Sequence, residues 1–287
     1  MVSPLLTVLL AGALQAAPPQ QPAEGEIVVT AAQRDVMRET ARRVEAVLPP
    51  TTIDQPLARF TDPICPGVVG LSRETGQAIV DRIGIVADGI GLRIGAPGCD
   101  PNVLLIVTPD GRAMVRGLMT RRTANLRAQT LADMRRILGE PGGARGWVEW
   151  ETRSRDGERA TVSGDGPPTL EVQGASRLAN AFRRDIVSAV VVIDTAAATT
   201  RSPLQIADYV AMRALADARP GRRIEAESIL AAFAPGDGQA TPDTLTPFDR
   251  GILRGLYSGQ GNVTAGMKRA TMVRAILDPA GGEAPGR

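Results

Sequence analysis

The stretch Ile-Val-Ser-Ala-Val-Val-Val-Ile, residues 186–193, is apolar and largely β-branched, and it decides the fold. Branched side chains favour strands, and a strand with one wet face would alternate apolar and polar residues. The stretch therefore predicts a strand inside a sheet that is covered on both sides. Residues 103–107, Val-Leu-Leu-Ile-Val, predict a second strand of the same kind.

A long apolar helix is predicted after residues 186–193. Residues 202–205, Ser-Pro-Leu-Gln, combine a capping hydroxyl, a proline at the first helical position and a glutamine that can reach back to the cap. Through residue 217 the charged side chains are Asp208, Arg213 and Asp217, which mark a narrow stripe on an otherwise apolar surface. We expect most of this helix to be buried.

Further helices are predicted on both sides of this region. Residues 246–249, Thr-Pro-Phe-Asp, repeat the cap and proline, and the helix they begin is expected to end before Gly259. Residues 32–47 are helical by pattern, and Ser72 caps a helix that ends near Gly91. Strands and helices in this arrangement predict an α+β fold, a mixed β-sheet with packed helices.

The C-terminal half resembles metzincin-type zinc peptidases. In that family an active-site helix precedes a tight turn of Ser-Ile-Met type and then a Leu-Thr-x-x-Asp…Leu-Tyr helix. Here residues 227–230, Glu-Ser-Ile-Leu, and residues 245–249, Leu-Thr-Pro-Phe-Asp, with Leu256 and Tyr257, stand in those places. The same ending is similar to that of a broad set of secreted bacterial proteins. The resemblance covers residues 186–257 and implies a zincin-like C-terminal half.

The chain departs from the family at the metal site. The helix that would carry His-Glu-x-x-His reads Gln-Ile-Ala-Asp-Tyr at residues 205–209, and the whole chain has no histidine. Catalytic zinc needs about three protein ligands, a water and a general base. We therefore expect a zincin-like fold without zinc peptidase activity. No catalytic residue, metal ligand or cofactor is predicted. Ser-His-Asp and Cys-His chemistry are excluded for the same reason.

The first residues predict export. Residues 5–16 form an apolar stretch that ends in small residues, which is the size of a signal-peptide core and too short to span a bilayer. We predict a signal peptide at residues 1–16, a flexible lead at residues 17–25, a single α+β domain at residues 26–277 and a disordered tail at residues 278–287. The protein is expected in the periplasm or secreted, with no transmembrane segment after cleavage.

Two cysteines, Cys65 and Cys99, lie in this exported chain. The simplest expectation is one structural disulfide between them. A metal pair would need two further ligands, and a redox pair is normally spaced Cys-x-x-Cys.

Residues 26–31, Glu-Ile-Val-Val-Thr-Ala, have two interpretations. They resemble the TonB box of TonB-dependent outer-membrane receptors, which adds as a strand to a periplasmic energy-transducing protein. The chain is too short to form the receptor barrel itself. The alternative is an ordinary first β-strand.

Residues 112–145 are rich in arginine, although the net charge of the chain is only +2. Such a surface could hold an anionic partner, or it could be a solvated helical face. Nucleic acid is not expected, because no aromatic platform is interleaved. The eight arginines are at positions 112, 116, 121, 122, 127, 135, 136 and 145.

A β-hairpin is predicted at residues 147–162, with its turn at Asp156 and Gly157. Residues 169–173 would add a third strand. Trp147 and Trp150, both on the first strand, are expected to be packing residues.

These features favour an exported, non-catalytic binding or scaffolding protein of a Gram-negative periplasm. Two alternatives stay open. One is a hydrolase that uses carboxylates or a non-histidine metal site. The other is an accessory protein of TonB-dependent uptake that docks through residues 26–31.

Overall fold

The computed structural model of the chain describes residues 30–121, 129–162, 166–172, 174, 179–220, 227–235 and 241–279. The predicted signal peptide, the flexible lead and residues 26–29 lie outside the described residues, as does the tail from residue 280.

The sheet has both parallel and antiparallel neighbours. Within the described residues it contains four strands in the order β1-β2-β4-β3. The first three in this order are parallel, and β3 is antiparallel to β4. The predicted α+β class with a mixed sheet is therefore confirmed. The strands are β1 Pro66–Val69, β2 Val103–Thr108, β3 Ala144–Ser154 and β4 Phe182–Asp194.

Helices cover both faces of the sheet. They are α1 Ala31–Val47, α2 Arg73–Asp88, α3 Gly111–Thr120, α4 Leu131–Gly139, α5 Thr195–Ala198, α6 Pro203–Leu215, a 3₁₀ helix at Ile229–Phe233, α7 Pro247–Tyr257 and α8 Ala265–Leu277. None of these helices is long and apolar enough to cross a membrane.

Strand β4 is the centre of the core, as its composition predicts. Val191 and Ile193 belong to the larger apolar cluster, which includes α6. Val190 and Val192 belong to a second cluster, formed with residues of α3 and α4 such as Val115. Because neighbouring residues of a strand point to opposite faces, β4 is covered on both sides.

The predicted capping residues begin their helices. Ser202 and Thr246 each accept a hydrogen bond from the third helical residue, whose side chain bonds back to the cap. Thr30 does the same for α1, which places Ala31 in a helix. The interpretation of residues 26–31 as a strand is therefore wrong for its last two residues.

The predicted hairpin is present, but its pairing is shorter than expected: Arg153 bridges Arg159 across the turn. The turn exists, with Gly157 at a φ of 103°. Beyond it, however, residues 158–162 make only isolated bridges, as does Thr169 of the predicted third strand. Strand β3 pairs along its length with β4 on its other edge. The pairing with β4 is long because β4 is a long apolar strand, whereas residues 158–162 are mostly polar.

The two tryptophans of β3 have different surroundings. Trp147 is buried in the second apolar cluster, which confirms its packing role. Trp150 is half-exposed, and the Arg184 guanidinium lies 4.5 Å from its ring centroid.

Cys65 and Cys99 form a disulfide, with their Cα atoms 6.1 Å apart. It ties the residue before β1 to the loop before β2. Because the bridge closes a loop with a sequence separation of 34, we expect its removal in a Cys65→Ser/Cys99→Ser protein to lower the free energy of unfolding by about 3–4 kcal/mol. Urea denaturation of the two proteins would measure this difference. Coincident denaturation curves would contradict the expectation.

Candidate functional site

The candidate site surrounds α6, which follows β4 and α5. Every residue from Gln205 to Leu215 is buried, including its charged ones. The predicted burial is therefore correct, but the charged stripe does not face solvent. Asp208 and Arg213 meet partners from other parts of the chain, whereas Asp217 pairs with the nearby Arg219.

Arg213 forms the centre of the first polar cluster. Its Nη2 lies 2.8 Å from Oε2 of Glu140, and both side chains are almost completely buried. Its Nη1 donates to the Tyr209 hydroxyl at 2.9 Å. Arg136 also donates to Glu140, at 2.8 Å. The cluster therefore joins α6 to the end of α4.

The same cluster covers the outer edge of β3. Gly146 donates its N–H to Glu140 at 3.2 Å, and its carbonyl accepts from Arg213 at 2.9 Å. Two residues on, the Val148 carbonyl accepts from the Gln129 side chain at 2.9 Å. A peptide strand that added here would have to displace these side chains.

Glycine at residue 146 permits this arrangement. A Cβ at that position would lie 2.8 Å from Nη2 of Arg213. The guanidinium therefore lies directly against the backbone of β3.

Burial and charge act together on the cluster. Burial alone would lower the pKa of Arg213, but Tyr209 and Glu140 outweigh it, so that the pKa is raised. Burial also raises the pKa of Tyr209. Arg213 is thus a permanent cation, and Tyr209 is a neutral hydroxyl near neutral pH.

Asp208 forms the second polar cluster. It is fully buried and accepts two hydrogen bonds from Arg82, at 2.7 and 3.0 Å. The Thr244 hydroxyl and the Leu245 N–H also donate to it, at 2.6 and 2.8 Å. This bidentate pair fixes α2 and the start of the α7 region to α6.

The residues at the expected metal position do not fit zinc. Gln205 donates its side chain to the Pro242 carbonyl at 3.0 Å. Tyr209 is bound to Arg213, which places a cation beside the second ligand position. Among the described residues, no group of three or more His, Cys, Asp or Glu side chains could hold a metal ion. Zinc prefers thiolate, imidazole and carboxylate ligands, which this arrangement lacks.

Asp249 links the predicted turn at residues 227–230 to α7. Its carboxylate accepts from the Ser228 hydroxyl at 2.6 Å and from the Ile229 N–H at 2.9 Å. It also accepts from the Thr246 N–H at 2.9 Å, which completes the cap of α7. Burial raises the pKa of Asp249, and these hydrogen bonds oppose the shift.

Asp217 lies beyond the helix that was predicted to contain it. Helix α6 ends at Leu215, and Asp217 has a φ of 47°. This left-handed conformation is typical of a residue that ends a helix. Its side chain pairs with Arg219 at 3.1 Å, and burial raises its pKa.

The arginine-rich face is smaller than the sequence suggests. Arg136 pairs with Glu140, and Arg145 is 3% exposed with Asp194 3.5 Å away. Arg136 and Arg145 therefore do not belong to one exposed arginine face, contrary to the prediction. Positions 122 and 127 lie outside the described residues. The exposed members are Arg112, Arg116, Arg121 and Arg135.

Sequence reasoning did not find Glu140 or Arg82 as partners of α6. Each lies far from its partner along the chain, so no local spacing connects them. The available signal was indirect: a charged residue on a buried helix needs a partner, because an unpaired buried charge is costly.

Comparison of the chain with protein-family models, with curated proteins and with solved structures found no match.

Proposed function

We propose that the chain is an exported, non-catalytic binding or scaffolding protein of a bacterial periplasm, with a zincin-like C-terminal half. The proposal that peptidase activity is absent rests on one observation. Gln205 and Tyr209 stand where metzincin-type peptidases have two zinc ligands, and here Gln205 bonds to a backbone carbonyl and Tyr209 bonds to Arg213. Export is supported by the predicted signal peptide and by the Cys65–Cys99 disulfide, because disulfides persist in oxidising compartments.

The covered edge of β3 supports the same proposal. A peptidase cleft that aligns an extended substrate uses free backbone groups of an edge strand. At Gly146 both backbone groups already bond to Arg213 and Glu140. A partner that binds by strand addition is therefore not expected at this part of β3.

The alternative of carboxylate catalysis requires two carboxyl groups that face a substrate. Asp208 and Glu140 are instead buried and bonded to arginines. The TonB-docking alternative depends on residues 26–31. Residues 26–29 lie outside the described residues, Thr30 and Ala31 begin α1, and the alternative stays a prediction.

The test uses the oxidised mature protein, residues 17–287. We expect zinc far below one ion per chain and no hydrolysis of a library of quenched fluorescent peptides. Zinc at one ion per chain would contradict the proposal. So would turnover that a single substitution, Asp208→Asn or Glu140→Gln, abolishes without unfolding the protein.

A further inference from the structure

A polar cavity of about 460 Å³ lies at the amino end of β4, whereas α6 follows the carboxyl end of that strand. Its walls come from the turn after β3, the start of β4 and the loop between α7 and α8. The volume is in the range of small-molecule sites. The charged residues of its lining are Arg59, Arg155, Arg183 and Asp156.

Arg59 is fixed at the back of the cavity. Its Nη1 donates to the carbonyls of Leu256 and Tyr257 at 3.1 and 3.2 Å, and its Nη2 donates to Gly259 at 3.0 Å. These carbonyls are at the carboxyl end of α7, where the helix dipole favours a cation. A guanidinium has five N–H groups, and these bonds use three of them.

Arg183 is fixed in a similar way. Its Nε lies 3.0 Å from the Asp185 carboxylate, and its Nη1 donates to the Arg155 carbonyl at 3.3 Å. Arg155 itself is half-exposed at the mouth of the cavity, next to the exposed Asp156. Two oriented guanidinium groups and a third, more exposed one therefore line the same cavity.

The amide side chains make the wall rigid. Asn262 donates its side chain to the Asn180 carbonyl at 2.7 Å, and the Asn180 N–H donates to the Asn262 carbonyl at 2.8 Å. Glycine at residue 261 lets the loop lie against Arg59, since a Cβ there would be 2.8 Å from Nε. The cavity is thus formed before any ligand binds.

Positive charge exceeds negative charge in this region. Burial lowers the pKa of Arg59 and Arg183 lowers it further, whereas Tyr257 and Asp185 oppose the shift. Burial also lowers the pKa of Lys268 to about 8, with a contribution from Arg59. An anion in the cavity would relieve this repulsion.

We infer that the cavity binds the carboxylate or phosphate group of a small hydrophilic molecule, with Arg59, Arg155 and Arg183 as the cationic donors of its lining. The planar fork of a guanidinium matches both oxyanions and forms strong charge-assisted hydrogen bonds. The inference rests on the proposed binding role and gives that role a ligand class.

The test is isothermal titration calorimetry of the full mature protein with inorganic phosphate and, separately, citrate, at low ionic strength. We expect at least one anion to bind in the millimolar range or tighter, and the tighter one identifies the preferred oxyanion. Arg155→Glu should weaken binding at least about tenfold, because it places a negative charge at the mouth. Arg183→Lys keeps the charge but loses the fork, and it should weaken binding by a smaller factor.

The matched control is Arg112→Glu, which makes the same charge change on the exposed face of α3. It should leave the affinity close to that of the unaltered protein. Absence of heat with both anions would overturn the inference. Equal weakening by Arg155→Glu and Arg112→Glu would also overturn it, because binding would then follow overall charge. Neither result bears on peptidase activity, which zinc content and peptide hydrolysis measure separately.

Discussion

Asp249→Ala is expected to lower the free energy of unfolding by about 3–5 kcal/mol. The substitution removes a carboxylate that is 0% exposed and that accepts hydrogen bonds from Ser228, Ile229 and Thr246. It leaves buried donors without acceptors and also removes half of the capping box of α7. Urea denaturation followed by circular dichroism would measure the loss.

Two controls separate this effect from a general one. Asp249→Asn keeps one side-chain oxygen as an acceptor, so it should cost less than the alanine variant. Asp81→Ala removes an exposed aspartate from α2 and should change stability by no more than about 0.5 kcal/mol. An alanine variant as stable as the unaltered protein would show that Asp249 does not hold the turn at residues 227–230 to α7.

The second large effect is expected at the buried pair of Glu140 and Arg213. Glu140→Ala should cost about 3–5 kcal/mol, because it leaves the Arg213 charge buried without a carboxylate. Arg213→Ala should cost less, because Glu140 keeps its ion pair with Arg136. The double substitution should cost less than the sum of the two, since it removes both charges. Urea denaturation of the unaltered protein, the two single variants and the double variant measures the difference.

A replacement by apolar residues extends this test. Glu140→Leu with Arg213→Met keeps most of the volume, so we expect it to be more stable than either single alanine variant. The backbone of Gly146 would then lose its hydrogen bonds to both side chains, which limits how much stability the apolar pair restores. Additive single effects would contradict the direct pairing of Glu140 with Arg213.

Local patterns in the sequence predicted the elements that local chemistry controls. The β-branched run at residues 186–193 became β4, and the caps at Ser202 and Thr246 began α6 and α7 as expected. The disulfide followed from having two cysteines in a chain predicted to be exported. Each of these predictions depends on residues that are close in sequence or on composition.

The pairing of β3 could not be predicted in this way. A tight turn at Gly157 normally joins two strands, but the partner of β3 is β4, which begins only at Phe182. The long pairing with β4, as against the short one across the turn, depends on burial in the finished core. Sequence spacing does not contain this information.

The polar contacts of α6 were also beyond local reasoning. Arg82 and Asp208 are 126 residues apart, and Glu140 and Arg213 are 73 apart. The polar cavity at the amino end of β4 could not be predicted for the same reason, since its arginines, Arg59, Arg155 and Arg183, come from three separate segments. Pattern reasoning instead selected the dense run at residues 112–145, in which Arg136 and Arg145 prove to be structural.

The central proposal is that the C-terminal half is zincin-like in fold and binds no zinc, because the Arg213 guanidinium bonds to Tyr209 at an expected ligand position. Its most direct measurement is the zinc content of the oxidised mature protein after incubation with zinc and removal of the free ion. With Arg213 bonded to Tyr209 and Glu140, we expect well below one zinc per chain. One zinc per chain, lost on Tyr209→Phe without loss of fold, would contradict the proposal.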